Sequence, residues 1–142
     1  MLYLPKKVDR TGRTLLIGYS DGTCRLFILF THELSEKMGT VTDDSCLGLL
    51  QQLKPHKDKV NVISMNPQCS ILVTVSMDCT LFMYQVQTKK NVPELVPLCY
   101  IDTPKIINYI TWKPGFELVM LLAGEEGLIM EAELPLLPGP PP

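Results

Sequence analysis

The chain has 142 residues, of which 46% are hydrophobic and 20% charged, with a formal net charge of −2. This is enough for one ordinary domain with a real core, and it excludes the low-hydrophobicity, high-charge class of disordered chains. A charge balance this close to neutral offers no global field to draw the chain onto nucleic acid or an anionic membrane, and apolar runs such as Leu118–Ala123 are far too short to span a bilayer.

Residues 1–13 read as a short basic connection, and MLYLPKKVDR lacks the long apolar core of a signal peptide, so the chain reads as cytosolic. Thr14–Tyr19 and Thr23–Leu29 are β-rich runs flanking Ser20-Asp21-Gly22. Asp-Gly between two such runs is a strong short-range hairpin signal. Phe30–Ser45 is polar and reads as an extended loop. Cys46–Leu53 fits helical spacing through Leu47 and Leu50, and strand spacing through Leu47, Leu49 and Gln51. The stop at Lys54-Pro55-His56 favours a strand.

From His56 to Val86 the chain reads HKDKVNVISMNPQCSILVTVSMDCTLFMYQV. Val60–Met65, Ile71–Ser76 and Thr80–Val86 are rich in Val, Ile, Thr, Phe and Tyr, residues that fit a pleated, half-buried surface. Asn66-Pro67 and Met77-Asp78-Cys79 punctuate them. Gln87–Glu94 reads as a loop, and Leu95–Ile101 as a strand whose internal Pro97 suits a sheet edge. Ile106–Trp112, Leu118–Ala123 and Leu128–Leu134 are the last strands. Residues 135–142, PLLPGPPP, lack ladder donors and read as a disordered, solvated, polyproline-like tail.

Three segments align without gaps. DGTCRLF from Asp21 matches DCTLFMY from Asp78, and both match EGLIMEA from Glu126. One strand earlier, VNVISMNP matches INYITWKP, each ending in Pro. The turn acids stand farther apart than a propeller repeat of about 40–45 residues, and loop insertions supply the difference.

On these residues the chain resembles the WD40-repeat family, and the order of LKPHKDKVNVISMNP, SMDCTLFMYQV, ITWKP and GEEGLIMEAELP is similar to that in the large cilia- and flagella-associated WD-repeat proteins. The resemblance implies an all-β fold, a partial WD40-like propeller. About two and a half blades of four-stranded antiparallel sheet are expected, open rather than closed. Residues 14–134 would hold the blades: an incomplete blade and the start of the next in 14–53, the best-kept repeat in 46–86 and a degenerate repeat in 95–134. In that family a His between blades, a Ser or Thr in the second strand, an Asp in the turn and a Trp in the third strand share a hydrogen-bonded network. Here His56, Ser76 (or Thr74) and Asp78 match those positions, with Tyr84 where the Trp would be, while the first copy keeps Asp21. Glu126 and Ala132 in the last copy imply that the network is absent there. Because a closed propeller needs at least about four blades, the chain reads as part of a larger assembly whose uncovered faces await further blades.

The turn acid would fix its hairpin to the loop leading into the next blade, a fold-holding role. No third group or nucleophile accompanies His56 and Asp78, so no catalytic residues and no cofactor are expected. An enzyme on this frame would need convergent carboxylates, His or metal ligands at the central opening. The resemblance implies a scaffold of the ciliary or flagellar axoneme, supporting dynein-arm attachment to doublet microtubules. Its partners would be proteins, axonemal dynein or tubulin-associated complexes, together with the remaining blades. The alternative is a cytosolic WD40 adaptor in a ubiquitin-ligase or trafficking complex.

The other candidates read as bland. Five scattered cysteines, Cys24, Cys46, Cys69, Cys79 and Cys99, form neither a disulfide framework nor a zinc site. His32-Glu33 lacks the second His of a zinc helix, because Glu36 stands there. Lys54, His56, Lys57 and Lys59 make a basic loop, read as solvated against a contact with acidic tubulin. Glu125, Glu126, Glu131 and Glu133 read as a solvated edge. Gly18, Gly22 and Gly127 precede no helix that would cradle phosphate. Pro135 and Pro138 meet a PxxP pattern of the kind that short proline tails match by chance. Trp112 reads as core or inter-blade packing.

Overall fold

A computed structural model describes residues 1–5, 8, 13–29, 47–90 and 92–134. The loop expected over Phe30–Ser45, Cys46 and the proline tail lie outside the described residues. Among the described residues, eleven strands run in chain order: β1 (Leu2–Tyr3), β2 (Thr14–Gly18), β3 (Cys24–Leu29), β4 (Leu47–Leu53), β5 (Val60–Met65), β6 (Ile71–Ser76), β7 (Thr80–Lys89), β8 (Val92–Asp102), β9 (Ile107–Trp112), β10 (Val119–Gly124) and β11 (Ile129–Glu133). A 3-10 turn, Glu125–Gly127, joins the last two.

The strands form three antiparallel sheets: β1-β2-β3-β4, β5-β6-β7-β8 and β11-β10-β9. Every neighbouring pair is antiparallel and consecutive in the chain. None of the three closes on itself, and the fold is a partial propeller. Sheets and sequence repeats are offset by one strand. Leu47–Leu53 pairs back on β3, Arg25 opposite Gln52, and so ends the first sheet. Leu2–Tyr3, within the stretch read as a connection, pairs with β2 through Leu2 and Leu16.

The hairpin of β7 and β8 extends beyond the sequence reading. The ladder continues through Gln87 opposite Glu94 to Lys89 opposite Val92, where a loop was expected. Exposed polar side chains cost nothing at the rim of a sheet, so backbone pairing decides its length there. Lys90 takes a left-handed φ of 54° to turn the chain. Pro93 and Pro97 lie in β8, which is an edge strand, where a missing N–H is tolerated.

Two apolar layers separate the sheets. Leu16, Leu26, Leu72, Tyr84 and Leu95 fill the gap between the first and second. Ile71, Val73, Met83, Ile107, Met120 and Leu122 fill the gap between the second and third. All six residues of β6 are buried, because alternate side chains of this strand serve opposite layers. Each fully buried Leu, Ile or Met contributes roughly 1.5–3 kcal/mol, whereas a typical hydrogen bond contributes about 1 kcal/mol. The layers therefore carry the stability, and the polar contacts between sheets set alignment. Asn61 Nδ2 donates to the Ile107 carbonyl at 2.6 Å and Trp112 Nε1 to Ser64 Oγ at 2.9 Å, both linking the second sheet to the third. Gln51 on β4 grips both backbone groups of Leu95 on β8, donating at 2.7 Å and accepting at 2.9 Å.

Candidate functional site

The polar residues singled out in the sequence meet where the loop 54–59 enters β5 beside the β6–β7 turn. Pro55 ends the β4 segment and presents His56, whose side chain is fully enclosed. Across from it, Cys79 N–H donates to the Ser76 carbonyl at 3.2 Å, closing the turn. Cys79 has φ 62°, the left-handed conformation that Gly22 adopts at the matching position of the first sheet.

Both ring nitrogens of His56 are engaged. Nδ1 lies 2.8 Å from Thr80 Oγ1 and Nε2 lies 2.8 Å from Thr74 Oγ1. The Thr80 hydroxyl donates to Asp78 Oδ1, so its oxygen is free to accept from the ring. This assigns the proton to Nδ1 and leaves Nε2 to accept from the Thr74 hydroxyl. The result is a one-way chain from Thr74 through His56 and Thr80 to the carboxylate. Asp78 Oδ1 also accepts from Thr80 N–H at 3.0 Å, and Oδ2 from Lys57 N–H at 2.8 Å. The carboxylate thus ties the turn to the loop on which His56 sits.

Two opposing influences set each charge. Burial holds His56 below its ordinary value, against the pull of nearby Asp78. Burial pushes the Asp78 carboxyl up, but the bonds from the Thr80 hydroxyl and the Lys57 N–H, with His56 nearby, hold it below the usual carboxylate value. A neutral ring beside an ionised, well-bonded carboxylate follows. With the ring enclosed and both nitrogens occupied, the pair offers no nitrogen to an outside atom.

The structure distributes the predicted residues unevenly. His56 and Asp78 are together, with Nδ1 and Oδ1 3.6 Å apart and Thr80 between them. Thr74, the alternative to Ser76, takes the ring. Ser76 Oγ instead donates to the Asp58 carbonyl at 2.9 Å and accepts from Asp78 N–H at 3.1 Å. Tyr84 joins through rings: it stacks on Phe82 at 4.9 Å, and Phe82 meets His56 edge-on at 6.5 Å. Burial raises the Tyr84 phenol above its ordinary value. Asp21 stands in the turn of the first sheet and accepts from Thr23 N–H at 3.0 Å, which holds its carboxyl below the ordinary value. In the third sheet, Lys105 and Glu126 form an exposed ion pair at 2.9 Å across the corresponding loop and turn.

Thr80 stands outside the expected network, although the sequence carries its signal. Asp21-Gly22-Thr23 and Asp78-Cys79-Thr80 share an Asp-x-Thr spacing, the mark of a side chain bonding the backbone two residues on. In the sequence Asn66 reads only as a break. It is 1% exposed, and its Oδ1 accepts from Ser70 and Ile71 N–H at 2.9 and 3.0 Å. Its Nδ2 donates to Ser70 Oγ at 2.9 Å and to the Glu117 carbonyl at 3.2 Å, joining the second sheet to the third. Among the described residues, no group of three or more His, Cys, Asp or Glu is placed to hold a metal ion, and no helix is long and apolar enough to cross a membrane.

Residues 47–85, which include the whole polar network, match the family described as WD domain, G-beta repeat. Over 141 residues, 96% of the chain, the sequence is 28% identical to cilia- and flagella-associated protein 44 of Mus musculus. The chain spans 7% of the length of that relative.

Proposed function

We propose that this WD40-repeat chain serves as a non-catalytic interaction module of the ciliary or flagellar axoneme, helping to hold dynein arms on doublet microtubules. The observation that carries the reading is the similarity to a cilia- and flagella-associated protein along 96% of the chain. The chemistry of the network agrees with it. An enclosed His with both nitrogens bonded to threonine hydroxyls suits joining a loop to a turn better than moving protons for a substrate. Its set of strongly bonded polar groups supports a rigid frame, and binding is left to the exposed loops and edges. Its partners are axonemal proteins, dynein- or tubulin-associated, together with further blades of a longer chain.

The test is expression of the tagged chain in ciliated cells, followed by imaging and cross-linked pull-down. Axonemal localisation with recovery of dynein-arm or tubulin components is the expected result. Diffuse cytoplasmic staining with ubiquitin-ligase or vesicle-coat subunits would replace this reading with that of a general WD40 adaptor.

A further inference from the structure

At 11 residues, β8 is about twice the usual strand length, and it ends the second sheet. It lies in the middle of the chain, and among the described residues no strand pairs with its outer side. The neighbouring sheets stack on the faces of the second sheet through the two apolar layers and leave this edge on the rim. A long edge of unpaired backbone groups is a template on which another chain can add a strand.

Two contacts fix the direction of the backbone groups. Leu95 N–H donates to Gln51 Oε1 at 2.9 Å, and the Leu95 carbonyl accepts from Gln51 Nε2 at 2.7 Å. Both groups of Leu95 therefore face away from β7. From Val92 to Pro97 the strand pairs with β7 residue for residue, and the bulge falls after Pro97. Backbone groups alternate along a strand, so Pro93 and Pro97 face outward with Leu95, while Glu94 and Val96 face β7. Neither proline has an N–H to offer. Along residues 93–97 the outer edge thus carries one donor, that of Leu95, and Gln51 holds it. Past the bulge the register breaks, so an added strand cannot follow the whole edge in one register.

We infer that Gln51 and the two prolines close the outer edge of β8 to strand addition, with the Gln51 amide as a built-in stand-in for the missing strand. A residue of an incoming antiparallel strand would exchange two bonds with Leu95, one given and one taken. Gln51 makes the same exchange from a side chain. It can do so because β4 pairs with β3, Gln51 opposite Leu26, and the stacking of the first sheet on the second brings the amide to Leu95. Closure of the edge is therefore tied to the docking of the two sheets, and a second copy of the chain finds no donors along residues 93–97.

The test is self-association of the full chain, read by light scattering on a sizing column. Q51L/P93V/P97V removes the amide and restores the outward donors. It is expected to associate at a concentration about ten-fold or more below that of the parent. The amides at 93, 95 and 97 are expected to become protected from hydrogen exchange as it does so. A mass matching the parent's at every concentration, or association that leaves those amides exchanging freely, overturns the proposal. Should the triple variant unfold, Gln51→Leu alone replaces it. Its Leu95 amide is expected to exchange about ten-fold or more faster than in the parent, while amides in the β6–β7 ladder exchange as before. Unchanged exchange at Leu95 overturns the proposal, and so does faster exchange throughout the sheet, which would make Gln51 a fastener of the fold alone.

Discussion

Gly22, in the hairpin turn of the first sheet, lies so close to His56 that any Cβ there would overlap the His56 carbonyl oxygen. This contact docks the turn carrying Asp21 on the loop carrying His56, and so aligns two sheets through their backbones. Gly22 also has φ 89°, a conformation that side chains rarely adopt. A neighbouring contact repeats the arrangement, since a Cβ on Gly18 would stand 2.7 Å from Val60 Cγ1. Gly22→Ala is expected to lower stability by roughly 1–3 kcal/mol from the backbone strain alone, with the overlap adding to it. Urea melts of the variant and of Ser20→Ala, an exposed neighbour, make the comparison; equal midpoints would show that the contact is slack.

Thr74→Val keeps the shape of the side chain and removes the donor to His56 Nε2. It is expected to cost roughly 1–3 kcal/mol, because a buried ring nitrogen is left without a partner. Ser76→Ala is expected to cost less, since the Asp58 carbonyl sits on an exposed residue that water can reach. Asp78→Ala takes the acceptor from the part-buried hydroxyl and N–H of Thr80, and roughly 1–3 kcal/mol is again expected. Thermal melts rank the three, and a larger loss for Ser76→Ala than for Thr74→Val would reverse the assignment.

Stability should decline on mild acidification. His56 is held below its ordinary value of 6.5 mainly by burial, so the unfolded chain takes up this proton at higher pH than the folded one. The neutral ring's contribution is complete above about pH 6.5 and is lost as pH falls from there toward the lower folded value. Asp78 acts in a separate window: its carboxyl is held below 3.8, so its contribution is present above that value and lost as pH falls through the folded one. Urea midpoints at about pH 7.5 and about pH 5.5 test the first window. A His56→Gln variant with an undiminished slope would assign the effect to another group.

Asn66→Ala should be among the more damaging polar substitutions in the chain. It removes the acceptor for two backbone N–H groups and the donor to the Glu117 carbonyl. A loss of roughly 1–3 kcal/mol for each buried group left unpaired is expected. Hydrogen exchange is the informative measurement. Faster exchange at Ser70 and Ile71 together with the 116–118 turn would mark Asn66 as the link between sheets, whereas loosening of Ser70 and Ile71 alone would confine its role to one hairpin.

The local chemistry of the sequence was sufficient to specify the all-β class, the order of strands and the hairpin turns. Alternating apolar residues and left-handed turn positions act over a few residues, and Asp21-Gly22 and Asp78-Cys79 can be read without knowing what surrounds them. The edge position of β8 was legible for the same reason, through Pro97. The tertiary structure decided whatever depended on a partner from elsewhere. Thr74 and Ser76 lie on the same strand two residues apart, and only the position of the incoming loop gave the His56 ring to Thr74 and the Asp58 carbonyl to Ser76. Gln51 and Asn66 are ordinary amides in the sequence and become fasteners only when another sheet brings backbone groups to them. The offset between repeats and sheets has the same origin. A strand belongs to whichever neighbour completes its hydrogen bonds, and for Leu47–Leu53 that neighbour is β3.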